Sequence, residues 1–313
     1  MIGVKMLRKA ISLLETALVR TRLTSGRDAI VLDLNDFGHV RTAHNLITLF
    51  VAGGHDHLIL RVRLARRTAQ ILNILLWYPQ VRLVWTATPA DKLVRAVGDY
   101  MPGMAVSDDH MIAPYPMHPQ LYSQYREQPR LVAYRRSQRS IPVLFAGARG
   151  EGYKAVTGML PRHEIIQHVT ATERVFVSPR VDQARWLALL SSANFFLAPP
   201  GVVIPFSHNL TEAMAVGTIP ITNYAHWYTP PLVDGETCLT FSTLAELDAA
   251  LDRAHQMSPQ AIADMRQRVI AYYEHVFTPA AFVRRIMQNP ASIIDVHFLD
   301  ELKPMVVEAR AHE

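Results

Sequence analysis

Short apolar runs alternate along this 313-residue chain with longer stretches in which apolar residues return every three or four positions. AIVLDL (29–34) predicts a buried strand. The polar loop NDFGHVRT follows it, and AHNLITLFVAGG predicts a helix ended by Gly53 and Gly54. DHLILRV predicts a second strand, RLARRTAQILNILLWYP a helix halted by Pro79, and VRLVWTA a third strand. This rhythm predicts a parallel sheet covered by helices on both faces. Residues 97–140 break it with Pro102, Pro114, Pro116, Pro119 and a basic run of Arg126, Arg130, Arg135, Arg136 and Arg139. They read as irregular structure closing one domain and leading into the next.

The rhythm restarts at IPVLFAGARG (141–150), a strand running into a glycine-containing loop. EIIQHV and ERVFVS read as further strands, VDQARWLALLSSA as a helix, NFFLAPPG as strand and loop, and NLTEAMAVG as a helix closed by Gly217. TIPITN is a strand, and helices are expected over 243–255 and 259–275. The expected fold class is α/β, with two Rossmann-like domains over 1–139 and 140–313, a central cleft, and last helices able to cross back. Ligands of such sheets bind beyond the carboxyl ends of the strands, which singles out the loops at 35–42, 146–152, 199–212 and 222–228.

Half of the residues are hydrophobic and 19% are charged, which excludes global disorder. The single cysteine, Cys238, excludes an internal disulfide framework and a multi-cysteine metal site, and fits a reducing, cytoplasmic location. No apolar run approaches the ~20 residues that span a bilayer. Leu7, Ile11, Leu14 and Leu18 recur at helical spacing with basic residues on other faces, so residues 1–25 predict an amphipathic helix. It either packs on its own domain or lies on an acidic membrane surface. No signal peptide is expected. The net charge of +5 points to an anionic partner. Basic clusters at Arg61, Arg63, Arg66, Arg67 and 126–139 lack interleaved aromatics and any nucleic-acid motif, so no nucleic-acid partner is expected.

GARGEGYK (147–154) fails as a phosphate loop because Tyr153, not lysine, follows Gly152. G-x-G-x-x-G, G-x-S-x-G and H-E-x-x-H are all absent, which removes support for dehydrogenase, hydrolase and metalloprotease readings. The most informative stretch is 194–241. Its Pro/Gly loop presents Gly201, Ser207, His208 and Asn209 at a helix start, where exposed N–H groups and the helix dipole attract an anion such as a diphosphate. Glu212, one turn in, fits two roles: a carboxylate accepting both hydroxyls of a ribose diol, or a partner in a capping box with Asn209. Ser207, His208 and Asn209 fit equally as loop and cap residues. Arg149 follows the strand VLFAG, where a guanidinium would fork onto a diphosphate or remain solvated. His226 and Trp227 follow TIPIT at a strand's carboxyl end, placed to touch a ligand, or to serve as surface and core.

Residues 141–241 resemble the nucleotide-sugar half of two-Rossmann (GT-B) glycosyltransferases, the exostosin-like type above all. The resemblance is carried by LFAGARG, RWLALLSSANFFLAP, LAPPG, Ser207 to Ala213, Gly217 and Ile219-Pro220-Ile221, with IAPYPM (112–117) similar to the segment preceding that half. It implies a nucleotide-diphosphate sugar donor and a glycan or glycolipid acceptor. Glu212 would sit on the ribose, Ser207 and the 201–209 loop on the diphosphate, and Arg149 on a phosphate. Asn209 stands where that family usually has arginine, leaving Arg149 or His208 to supply the contact. EAMAVGTIPI and LVDGETCL are also similar to retaining GT-B enzymes, but Ile204 occupies the position of their second acidic residue.

An inverting reaction needs a base for the acceptor hydroxyl. Asp36 is the first candidate and His39 the second, both at a strand's carboxyl end, with Asp36 equally suited to a turn. Asp108, Asp109 and His110 form a third cluster. No metal site is expected, because positive groups and a helix N-terminus replace the cation in this class, and no separate cofactor is expected. A retaining transferase and a non-catalytic binding module are the alternatives on the same fold.

Overall fold

The structure is a computed structural model that describes residues 29–34, 40–55, 58–61, 78, 81–84, 90–124, 129–148, 158–178, 181–201 and 204–299. In chain order it holds β1 (Ile30–Asp33), α1 (Val40–Ala52), β2 (Leu58–Arg61), β3 (Arg82–Val84), β4 (Lys92–Val97), β5 (His110–Ile112), α2 (Pro119–Gln124) and α3 (Pro129–Arg135). There follow β6 (Ile141–Phe145), α4 (Arg162–Thr172), β7 (Phe176–Val177), α5 (Gln183–Ser191), β8 (Ala193–Leu197) and α6 (His208–Ala215). The last elements are β9 (Ile219–Thr222), β10 (Leu239–Thr240), α7 (Leu244–Gln256), α8 (Pro259–Tyr272), α9 (Pro279–Gln288) and β11 (Ile293–His297). Two compact units result, one running to Ala113 and resuming at Pro279, the other spanning Pro114–Thr278.

The first unit is a six-stranded parallel sheet of order β3-β2-β1-β4-β11-β5. Because side chains alternate across a strand, Ile30, Leu32, Leu58, Leu60, Val94, Ala96, Ile294 and Val296 all face one layer. There they pack with Phe50 and Ile47 of α1 and with Phe282 and Ile286 of α9. The opposite face carries a row in register across five strands: Arg61, Asp33, Arg95, Asp295 and His110. Arg61 bonds Asp33, and Arg95 forks onto Asp295 at 2.5 and 2.7 Å, so opposite charges meet strand by strand.

Gly53, which ends α1, lies where α9 crosses. A methyl group there would stand 2.5 Å from Val283 Cγ2 and 2.7 Å from the Pro279 carbonyl. Gly53→Ala is expected to cost about 1–3 kcal/mol by overpacking, read as a lower denaturant midpoint.

The second unit is a five-stranded parallel sheet of order β10-β9-β8-β6-β7. Its first strand, β6, has β7 on one side and β8 on the other, so the chain reverses direction across the sheet between β6 and β8. Crevices at such a reversal receive ligands in doubly wound folds. Phe145, Phe195, Phe196, Leu197 and Ile221 fill its core. Ser207 caps α6 by accepting from the Asn209 N–H at 3.3 Å. Thr243 caps α7, while Glu246 reaches back to the Ser242 N–H.

Three differences from the sequence reading have physical causes. EIIQHV is not a strand; it lies within α4, where Ile165, Ile166 and Val169 bury one helical face. Residues 97–140 hold β5, α2 and α3, and β4 ends inside them. Residues 114–139 belong to the second unit, whereas the sequence reading divides the chain at 139/140; α9, among the last helices read as able to cross back, lies with β11 in the first unit. Side-chain ties hold the first of these segments in place. Arg135 donates to the Ala215 carbonyl at 2.8 Å, and Arg139 donates to the Val216 carbonyl, the Ala193 carbonyl and Thr218 Oγ1. Burial, together with Arg266, pushes the Arg139 guanidinium down to about 9. Arg135 and Arg139 from the basic run are therefore committed inside the unit. No helix among the described residues is long and apolar enough to cross a membrane.

Candidate functional site

The crevice of the second sheet is flanked by the loop after β6 (Ala146, Gly147, Ala148) and the loop after β8 (Ala198, Pro199, Pro200, Gly201). One side chain joins them. Arg162, the first residue of α4 and only 7% exposed, donates through Nε to the Ala148 carbonyl at 3.0 Å. Through Nη1 it donates to the Pro199 and Pro200 carbonyls at 3.1 and 2.9 Å. Its guanidinium lies over the Phe145 ring, 5.6 Å from the centroid.

Gly147 sits between nitrogens. Its φ of +145° is one that L side chains rarely adopt, and a Cβ there would lie 3.2 Å from both Arg162 Nη2 and Asn209 Nδ2. Glycine lets the backbone pass close to two N–H donors at the N-terminal end of α6. Gly201 is required by close approach as well. A Cβ would stand 2.6 Å from the Ile204 and Phe206 carbonyls, and its own N–H donates to the Pro205 carbonyl at 3.0 Å. Gly201 thus lies against residues 204–206, which lead into Ser207 at the helix start.

The other residues singled out on α6 are held from one side by the strap 115–118. His208 Nδ1 donates to the Pro116 carbonyl at 2.7 Å, and its ring tilts against Tyr115 at 4.7 Å. Thr211 Oγ1 donates to the Tyr115 carbonyl at 2.9 Å. Asn209 Nδ2 reaches the Ala146 carbonyl at 3.4 Å. Glu212 is buried, and each carboxyl oxygen accepts one bond: Oε1 from the His118 N–H at 2.9 Å, Oε2 from Trp186 Nε1 at 2.5 Å. Neither partner belongs to a capping box, since the cap is Ser207. Burial outweighs those two bonds and pushes the Glu212 carboxyl up to about 7, so it titrates near neutrality.

His226 lies on a short 3₁₀ turn after β9, and partial burial pushes its imidazole down, favouring the neutral form. With Asn223, Trp227, Ser242 and residues 158–160 it lines a pocket of about 110 Å³ at the carboxyl ends of β9 and β10. Asn223 Nδ2 donates to the Leu160 carbonyl at 3.3 Å, while Oδ1 is buried without a hydrogen-bond partner among the described residues. The pocket walls are largely uncharged.

Asp36, His39 and Arg149 lie outside the described residues. Of the remaining candidates, Ser207, His208, Asn209 and Glu212 share α6 and its cap, Gly201 begins the loop leading to them, and His226 lines a pocket further along the same sheet edge. Sequence reasoning missed Arg162. The available signal was a cation directly after Pro161 at a helix start, where the dipole disfavours positive charge unless other acceptors hold it. No group of three or more His, Cys, Asp or Glu placed to hold a metal occurs among the described residues.

No family model and no curated protein matches the chain. Among solved structures it is similar to AviGT4, a glycosyltransferase involved in avilamycin A biosynthesis, at 14% identity over 83% of this chain and 98% of that one, with a TM-score of 0.42. It is similar to the sucrose-phosphate synthase of Thermosynechococcus elongatus at 15% identity over 84% and 97%, with a TM-score of 0.45. Anabaena HepE, solved in complex with UDP and glucose, is 11% identical over 84% and 99%, with a TM-score of 0.49.

Proposed function

We propose that this chain is a glycosyltransferase that moves a sugar from a nucleoside diphosphate to a hydroxyl of a glycan or glycolipid, with inversion at the anomeric carbon. The observation that carries the reading is the close approach of the Gly147 backbone to Arg162 Nη2 and Asn209 Nδ2 at the start of α6. Two side-chain N–H donors and a helix N-terminus at a strand-order reversal are suited to a diphosphate. In this reading the 201–209 loop, Ser207, His208 and Asn209 take the diphosphate, Arg149 adds a phosphate contact, and Glu212 accepts from the ribose hydroxyls. Asn223 and His226 meet an uncharged part of the donor. The leaving diphosphate is stabilised by these donors without a bound metal or further cofactor. Asp36 and His39 stay as acceptor-side bases from the sequence pattern, and residues 1–25 as a contact with an acidic membrane surface.

Calorimetry with uridine, guanosine and adenosine diphosphate sugars tests the reading, with and without a chelator. Saturable binding of one donor is expected in the chelator, and Gly147→Val should abolish it by pushing the two nitrogens apart. NMR of the product anomer then decides the stereochemistry. Absence of binding by every nucleotide sugar overturns the proposal.

A further inference from the structure

Two guanidiniums meet at the end of the second sheet that faces away from its crevice. Arg139, two residues before β6, donates to the Val216 carbonyl at 2.6 Å, to Thr218 Oγ1 at 2.7 Å and to the Ala193 carbonyl. Those acceptors lie at the amino ends of β8 and β9, whereas the crevice opens beyond the carboxyl ends. Arg266, on α8, donates from Nη2 to the carbonyl of Arg135, four residues before Arg139, at 2.7 Å. Gly217 shows how near α8 comes. A Cβ there would stand 2.9 Å from Ile270, one turn beyond Arg266, and 3.6 Å from Arg139 Nη2. Both arginines are half-buried, and the Nε of each is buried with no acceptor among the described residues. Neither has an ion-pair partner among those residues, and Glu274, the carboxylate tied to this cluster, is closed on Arg135 at 2.6 Å. We propose that Arg139 and Arg266 form a binding site for a phosphate group, separate from the crevice.

Like charges brought together away from water are unfavourable unless something of opposite sign compensates them. The charge that acts on Arg139 is a second cation, Arg266, and burial pulls both guanidiniums down, although arginine keeps its proton at neutral pH. Buried donors in native structures are seldom left unanswered. An anion seated against the pair compensates both charges. Its own charge defines its class. A phosphate monoester carries roughly −1.5 to −2 at pH 7, enough for two cations. A carboxylate or a phosphodiester carries one charge and leaves one guanidinium uncompensated. Phosphate oxygens also accept from two guanidinium forks at once, at the short distances of charge-assisted bonds. Arg266 is the reaching member, because its Nη1 has no acceptor among the described residues. Soluble phosphate and the monoester headgroup of phosphatidic acid present the same chemistry.

Inorganic phosphate is the probe. The crevice is itself suited to phosphate in the reading above, so calorimetry is run on Gly147→Val, whose crevice donors are pushed apart. Saturable binding is expected there, and adding Arg266→Gln should weaken it about tenfold or more, the loss of one charged hydrogen bond. In the otherwise wild-type protein, phosphate should raise the denaturation midpoint further than it does in Arg266→Gln, since any crevice contribution is common to both. Co-sedimentation with phosphatidylcholine vesicles containing phosphatidic acid, abolished by Arg266→Gln, identifies a headgroup as the source. Phosphate binding without co-sedimentation identifies a soluble ligand. Equal phosphate affinity with and without Arg266→Gln, or equal midpoint shifts, overturns the site. The glycosyltransferase reading falls by a different result: a protein that binds no sugar nucleotide defeats it, and the Arg266-dependent response to phosphate still decides this site.

Discussion

Replacing Arg162 with alanine should destabilise the second unit by about 3–5 kcal/mol and abolish measurable nucleotide binding. The guanidinium makes three bonds to carbonyls of two loops, and hydrogen bonds from a charged donor contribute roughly 1.5–3 kcal/mol each, less than additively. Truncation also strands the buried Pro199 and Pro200 carbonyls in a place where the side chain had excluded water. Lysine should not rescue the loss, because one ammonium cannot reproduce a fork that spans both loops. Urea denaturation followed by tryptophan fluorescence reads the loss, since two of the chain's four tryptophans, Trp186 and Trp227, lie in this unit. A midpoint change equivalent to less than about 1 kcal/mol would show that the two loops hold their places without the clasp.

The reason Arg162 escapes a linear reading is also the reason much else was legible. β1, β6, β8 and β9 are compact apolar runs buried on both faces, and a buried parallel strand announces itself that way. The helix ends at Gly53 and Gly217 were equally plain, the second with φ of +75°. EIIQHV misled because two adjacent isoleucines and a valine fit a strand as well as a helix, and only the burial of Ile165, Ile166 and Val169 on one helical face chooses between them. KLVRAV was passed over because Lys92 and Arg95 interrupt it. Their partners, Asn289, Ala291 and Asp295, come from a strand and loop some 200 residues later in the chain. The site divides in the same way. A Pro/Gly loop opening a helix at Ser207 is a local pattern. What holds Glu212 is not, because His118 and Trp186 lie 94 and 26 positions away.

That buried carboxylate should make stability and donor binding respond to pH in opposite directions. Its folded-state value of about 7 lies above the ordinary 4.5, so between those two pH values the folded protein keeps a proton that the unfolded chain gives up. The stabilisation is fully present below pH 4.5 and is lost as pH rises through 7, on the order of 3 kcal/mol across the window. Glu212→Gln cannot titrate and should remove that slope, so the variant gains on the wild type by about that amount between pH 5 and pH 8. Glu212→Ala behaves differently. It leaves the His118 N–H and the Trp186 indole N–H unpaired, at about 1–3 kcal/mol each, and should be the less stable protein at pH 5. Binding runs the other way. A ribose diol donates two hydroxyl protons, which only the ionised carboxylate can accept at both oxygens. The ionised fraction rises about tenfold from pH 6 to pH 8 for a group titrating near 7, and donor affinity should rise with it. Denaturation midpoints and calorimetry at pH 5, 6, 7 and 8 measure both curves. If affinity is flat with pH while the wild-type stability slope is present, Glu212 is a structural carboxylate that the ribose never reaches.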